Sequence, residues 1–174
     1  QHGHMEQVGY DMYCKLLDQV VKEMKGIQVE EEIDVQLDLD VSSYIPDEFI
    51  EDSNQKIEIY QEIALCKNED EIKDITDSII DRYGNMPKEI EKLLDIARIR
   101  NACRAKNIIK VAQKSDKVIF YFDEKTFDFS VVEKLLKKYG MRIKFSPAKN
   151  PYVTYKLKNI NDILKEIKEF LQEV

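Results

Sequence analysis

Asp74, Asp77 and Asp81 stand three and four residues apart, and Arg82 directly follows the last of them. On a helix, where successive residues turn by about 100°, this spacing gathers the three carboxylates on one face and leaves the guanidinium at its edge. Such a face is a strip of fixed negative charge, suited to meeting a basic surface. Asp34, Asp38 and Asp40 make a second acidic set, interleaved with Ile33, Val35, Leu37, Leu39 and Val41. That alternation is strand periodicity, and it spreads the carboxylates along a flat solvated face. No histidine joins them, so a metal centre does not follow.

The other chemistry-bearing residues point away from catalysis. His2 and His4 are the only histidines, both close to one end of the sequence, and their position does not support a metal site. Without an interior histidine, acid–base chemistry falls to carboxylates or lysines whose pairing a sequence does not reveal. The chain has no Gly-x-x-x-x-Gly-Lys-Ser/Thr loop for nucleotide phosphates and no nucleophile in a recognisable elbow. An enzyme is not expected, nor a cofactor. Cys14, Cys66 and Cys103 are odd in number and form no Cys-x-x-Cys pair. They read as free thiols, buried as small hydrophobes in a reducing cytoplasm. Nothing reads as a membrane span or a secretory signal, so a cytoplasmic protein with no membrane partner is expected.

The net charge of −7 conceals a division. Residues 1–95 hold 9 Lys and Arg against 25 Asp and Glu, while residues 96–174 hold 18 against 9. In the basic part, lysines 134, 137, 138, 144, 149, 156 and 158 are interleaved with Phe120, Tyr121, Phe122, Tyr152 and Tyr155. Lysines with aromatics form one recipe for single-stranded nucleic acid. The plainer expectation is that the aromatics build the buried face of a sheet and the lysines solvate its helices.

The elements that position these residues follow from periodicity. Val8, Tyr10, Met12, Leu16, Leu17, Val20, Val21 and Met24 mark an amphipathic helix closed by Gly26. The strand over 33–41 follows, then a connection in which Tyr44, Ile45, Phe49 and Ile50 anchor the chain around Pro46. Three helices come next. The first carries Ile57, Tyr60, Ile63 and Ala64; the second opens at Asn68 or Glu69 with Ile72, Ile75, Ile79 and Tyr83 inward; the third opens at Pro87 with Ile90, Leu93, Leu94, Ala97 and Ala105. Short connections favour a bundle. Gly84 supplies a left-handed stop between the second and third. Asp81 then sits in a last turn where the helix dipole disfavours negative charge, and Lys73 offsets part of this through Asp77. Beyond Asn107, hairpins over 108–122 and 142–157 alternate with helices through Leu135–Leu136 and Ile163–Leu171. The order is strand, strand, helix, twice over, although the two copies share too little identity to establish a repeat. The expected class is α+β: an N-terminal helix and strand, a helical middle, and a mixed sheet with helices at the C-terminal end.

Several separated motifs carry a family resemblance. Gln1-His2-Gly3-His4-Met5 with Gly9-Tyr10-Asp11-Met12-Tyr13 is similar to the segment after the motor domains of the bacterial transcription-repair coupling factors, the Mfd family. There a Gln-Ser-Gly-like turn closes a translocation motif, which makes Gln1 and Gly3 its remnant, with His2 in place of the commoner serine; a cloning scar is the other reading of Gly3-His4-Met5. Ser43-Tyr44-Ile45-Pro46 with Phe49-Ile50, then Lys56-Ile57-Glu58-Ile59-Tyr60, Asp81-Arg82-Tyr83-Gly84 with Pro87, and Leu93-Leu94 with Ala97-Arg98 resemble that family's C-terminal domain.

The resemblance implies a helical connector over 1–26 and a C-terminal regulatory domain over 27–174. It implies a domain that folds onto a UvrB-like domain of the same protein and hides the surface that recruits UvrA, through residues matching Asp81 and Arg82. A family glutamate is matched by Ser78, with Asp77 beside it. The motor that uses ATP and magnesium, the polymerase-binding domain and the UvrB-like domain are expected before residue 1. RNA polymerase and DNA are then indirect partners, and the fragment itself needs no cofactor. An accessory nucleic-acid-binding domain that uses the basic half, and a structural cap on the motor, are the alternatives.

Overall fold

A computed structural model describes residues 33–174. The expected helix over 1–26, with Gln1, Gly3, the two histidines and Cys14, lies outside the described residues. The described chain falls into two compact units, one containing Val41–Arg98 and the other residues 33–40 with Ile99–Val174.

The first unit is helical: α1 (Ser53–Leu65), α2 (Glu69–Tyr83) and the Lys88–Arg98 part of α3 (Lys88–Ala105). Local chemistry sets the starts of α1 and α2. The Asp52 carboxylate accepts the N–H groups of Asn54 and Gln55 at 2.8 and 3.0 Å. The Asn68 side chain accepts that of Glu71 at 2.9 Å, and Glu69, Asp70 and Glu71 place negative charge in the first turn of α2, where the dipole favours it. Ile72, Ile75 and Ile79 of α2 are buried as expected, and Ile45, Ile50, Ile90, Leu93, Leu94 and Ala97 are buried in the same unit. The Tyr60 hydroxyl accepts the Ile45 N–H at 2.9 Å, which fixes the connection.

Three expectations for these helices are corrected. Ile57 is 44% exposed, whereas Ile63 is buried as expected and the inward stripe continues through Ile59 and, just past the helix end, Cys66. The sequence offers two apolar stripes about 160° apart, and packing buries the one that holds Ile59 and Ile63. Ala105 is exposed as the last residue of α3, whose remaining buried positions include Ile96, Ile99 and Cys103. Gly84 ends α2, its N–H bonding the Ile80 carbonyl at 2.9 Å, but its φ of 89° and ψ of −155° lie outside the left-handed helical region. That pair of angles is open almost only to glycine.

The second unit is built on a five-stranded sheet: β1 (Gln36–Asp38), β2 (Ile108–Lys114), β3 (Lys117–Phe122), β4 (Ile143–Ser146) and β5 (Tyr152–Lys156), in the order β1-β2-β3-β5-β4. β1 pairs parallel with β2 and every other pair is antiparallel, so the sheet is mixed. Regular pairing covers only three residues of the expected 33–41 strand, yet burial alternates throughout, with Val35, Leu37, Leu39 and Val41 inward. Helices α4 (Ser130–Tyr139) and α5 (Ile163–Glu173) accompany the sheet. Phe170 of α5 stacks on Phe120 with centroids 4.0 Å apart, and Tyr139 of α4 meets Tyr155 edge-on at 5.1 Å. Leu135 is fully buried, whereas Leu136 is 47% exposed.

The two strand–strand–helix copies join through their second strands, β3 and β5, with Ile119 opposite Thr154. The order β2-β3-β5-β4 thus places the copies symmetrically about this central pair, an arrangement the weak sequence similarity left open. The described architecture is α+β.

Candidate docking site

The α2 surface carries the expected acidic strip. Asp74, Asp77 and Asp81 are exposed and Ser78 is half-buried. Neither Asp77 nor Asp81 forms a side-chain hydrogen bond or ion pair with a described residue, and Lys73, expected to offset Asp77, does not pair with it. Arg82 behaves differently. Its guanidinium lies 3.6 Å from the Glu62 carboxylate of α1, its Nε donates to the Ser78 carbonyl at 3.4 Å, and it sits over the Tyr83 ring at 5.5 Å. The adjacent Asp81 and Arg82 are therefore not partners of each other.

Tyr83 is fixed in turn, its hydroxyl donating to the Gln55 side chain at 3.2 Å and its ring tilted against Phe49 at 5.8 Å. Arg98 of α3 holds Glu69 and Asp95, each at 3.0 Å, and so ties the start of α2 to α3. The strip stands on a helix fixed at both ends.

Beside the strip lies an open cleft of about 410 Å³ lined by Glu62, Leu65, Cys66, Glu71, Asp74, Ile75 and Ser78. Its walls are mainly apolar, and its charged residues are all acidic. The Cys66 thiol senses both properties: burial pushes its pKa up to about 11, and the charges of Glu71, Glu62 and Asp74 add to the rise. Cys103 is pushed up to about 12 by burial, against the opposing charge of Arg100. Neither of these two cysteines forms a disulfide and both are buried, as expected. The cleft was not legible in the sequence, because Glu62 and Ser78 are brought together by the packing of separate helices.

Energetics separate what folds this unit from what decorates it. Each fully buried isoleucine contributes roughly 1.5–3 kcal/mol. The repulsion of Asp77 by Asp81 and the adverse dipole at Asp81 each cost only a few tenths. The fold tolerates the strip, and nothing within the described structure requires it.

The basic part divides. Phe120, Phe122 and Tyr155 are buried on the helix-covered face of the sheet, whereas Tyr121 and Tyr152 lie half-buried on the other. The seven lysines singled out above are all exposed. No group of three or more His, Cys, Asp or Glu among the described residues is arranged to hold a metal ion. No described helix is long and apolar enough to cross a membrane.

Comparison with known proteins bears on the family and the fold. The TRCF domain family model matches residues 39–131, just over half of the chain. The transcription-repair-coupling factor of Bacillus subtilis (strain 168) is 31% identical over 147 residues, which cover 82% of this chain and 12% of the relative. That of Staphylococcus aureus (strain USA300) is 32% identical over 173 residues, covering 97% and 15%. The chain therefore spans only a small part of the length of these curated relatives. A crystal structure of the C-terminal domain of a transcription-repair coupling factor shares the fold, with a TM-score of 0.72 at 23% identity over 80% of this chain and 91% of that one. The chain belongs to the TRCF domain family, the C-terminal domain of the bacterial transcription-repair coupling factors.

Proposed function

We propose that this domain is a regulatory clamp that docks through the acidic strip of α2 onto a UvrB-like domain of the same polypeptide and masks the surface that recruits UvrA. The observation that carries this reading is Asp81, an exposed carboxylate with no partner among the described residues, in a helical turn that disfavours it, beside an arginine already held by Glu62. An unpaired charge on a rigid helix is available to an outside partner without first breaking an internal contact. The cleft supports the same reading. Glu62, Glu71 and Asp74 surround Ser78 and supply negative charge where family members place a glutamate.

In the whole protein this clamp regulates an ATP-driven DNA translocase that acts on stalled RNA polymerase in the cytoplasm and brings in excision repair. ATP, magnesium and the polymerase contact belong to other domains, and this one is non-catalytic. The required affinity is modest. Tethering raises the effective concentration to around millimolar, so a few exposed pairs of about 0–1 kcal/mol each hold the domains together reversibly.

The test is a pull-down of this chain with the separately produced UvrB-like domain, in low and high salt. Capture is expected at low salt and its loss at high salt. Asp81→Asn is expected to weaken capture by up to about fivefold while leaving the melting temperature unchanged or slightly raised, because it removes an adverse dipole interaction. In the full-length protein the same variant is expected to increase UvrA binding. Undiminished capture together with unchanged UvrA binding overturns the proposal.

A further inference from the structure

The sheet of the second unit has one helix-covered face and one on which polar and aromatic side chains flank the buried Ala112 and Ile119. α4 and α5 both pack on the covered face, through Tyr139 on Tyr155 and Phe170 on Phe120. Residues directly opposite in a ladder share a face, so the strand registers lay out the other face in rows. One row reads Lys110, Tyr121, Tyr152, Ser146 across β2, β3, β5 and β4. The next reads Asp38, Ala112, Ile119, Thr154, Lys144, with Asp38 on β1. The third sets Lys114, Lys117 and Lys156 side by side.

Two features of this face are specific. Tyr121 and Tyr152 are half-buried, with ring centroids 5.3 Å apart, and the Lys110 ammonium lies 5.6 Å from the Tyr121 ring centre. The charge is divided: Lys110, Lys114, Lys117, Lys144 and Lys156 lie across β2 to β4, whereas the carboxylates lie along the β1 edge segment, where Asp34, Asp38 and Asp40 are exposed and Asp38 pairs with Lys110 at 3.7 Å. Three lysines abreast repel one another across neighbouring strands. Internal stability gives no reason to keep them together, whereas a polyanion does.

We propose that this face binds single-stranded nucleic acid, with Tyr121 and Tyr152 stacking on successive bases and the lysines on the phosphates. Every base has a π-face, so stacking on paired tyrosines grips an unpaired strand without reading its sequence. In duplex the bases are stacked on each other and unavailable to the rings, so single strands are preferred. A sheet four strands wide spans about 14 Å between its outer strands, room for two or three nucleotides. This site lies in the second unit and does not depend on the docking role of Asp81.

The test is fluorescence anisotropy of the full chain with labelled oligothymidylate, oligouridylate and a duplex of equal length. The thymidylate or the uridylate is expected to bind more tightly than the duplex, with affinity falling steeply as salt is raised. The two single-strand arms decide whether DNA or RNA is the better ligand. Tyr121→Ser with Tyr152→Ser is expected to weaken single-strand binding by on the order of tenfold or more and to remove the preference over duplex. Lys144→Gln with Lys156→Gln, both exposed and safe for folding, is expected to weaken binding several-fold and to lower the salt slope. No binding at low salt up to about 100 µM protein overturns the proposal, as does equal affinity for duplex or retention of full affinity by the lysine variant.

Discussion

Glu166→Gln is expected to destabilise the C-terminal unit more than any conservative change on its surface. Glu166 is 6% exposed, and its carboxylate gathers three donors: the Tyr155 hydroxyl at 2.7 Å and the backbone N–H groups of Lys158 and Asn159 at 2.8 and 3.0 Å. Arg142 lies 3.8 Å away, donates to the Lys156 carbonyl at 2.8 Å and covers the Tyr155 ring at 5.4 Å. The network therefore ties α5 to the end of β5 and the turn that follows it. Burial pushes the Glu166 carboxyl pKa up, but the Lys158 and Asn159 N–H groups, the Tyr155 hydroxyl and Arg142 outweigh it, and the pKa lies below its ordinary 4.5. The Tyr155 hydroxyl is raised in turn, by burial first and then by the carboxylate it serves.

A glutamine keeps the shape but presents one acceptor oxygen and an NH2 that cannot accept. At least one buried donor loses its partner, and the bonds that survive lose their charge. Each unsatisfied buried donor costs about 1–3 kcal/mol, so the expected loss is about 2–4 kcal/mol at pH 7. The pH dependence gives an independent check. For a carboxyl whose folded pKa is depressed, the stabilisation is fully present above the ordinary value and disappears as pH falls through the folded one. Wild-type stability should drop below about pH 4.5, and its difference from Glu166→Gln should narrow over the same window. Urea unfolding followed by far-UV circular dichroism between about pH 3 and 7 measures both. A variant within about 0.5 kcal/mol of wild type at pH 7, with an unaltered pH profile, would refute the account.

Gly84→Ala is expected to cost about 1–3 kcal/mol in thermal or urea melts through backbone strain alone. A Cβ at Gly84 meets no atom within 4 Å, so a near-neutral result would show that the helix ends readily in another conformation. In a Cys14→Ser background, the thiols of Cys66 and Cys103 should react with a disulfide reagent at pH 8 at least about a hundredfold more slowly in folded than in urea-unfolded protein, given their raised pKa values and burial. Rapid stoichiometric reaction of the folded chain would contradict that burial.

The parts of this fold that the sequence made legible are those with one apolar pattern per element. In α2 a single stripe, Ile72, Ile75 and Ile79, leaves one orientation for the helix, and the acidic face opposite follows from it. α5 is as plain, with Ile163, Leu164, Ile167, Phe170 and Leu171 all buried. α1 was ambiguous because Ile57 and Ile59 both begin plausible stripes, and tertiary packing chose the second. β3 posed the same problem in strand form. Val118, Phe120 and Phe122 alternate with Ile119 and Tyr121, so both faces look buriable, and periodicity alone cannot say which one the helices cover. Cross-strand registers supply the missing parity, and with it the separation of Tyr121 and Tyr152 from the other aromatics. The Glu166 network was invisible for a different reason, since a glutamate at that position in an amphipathic helix reads as a solvated residue until its backbone partners are known.

These two kinds of illegibility bear on function differently. The covered face of the sheet and the Glu166 network are explained once packing is known, because every group in them gains stability from its neighbours. The α2 strip and the lysine rows are not explained in this way. Asp81 and the trio of Lys114, Lys117 and Lys156 each raise the energy of their own unit by small amounts, through an adverse dipole in one case and like-charge repulsion in the other. Costs of a few tenths of a kcal/mol are easily carried by cores in which each buried isoleucine contributes several times as much. They are also easily removed by a single substitution, which gives a direct comparison. Asp81→Asn and Lys117→Gln should each leave stability level or slightly improved while weakening binding, the first to a basic protein surface and the second to an unpaired strand. Side chains that add nothing to their own fold and whose loss is felt only in the presence of a partner are the ones on which both proposed surfaces rest.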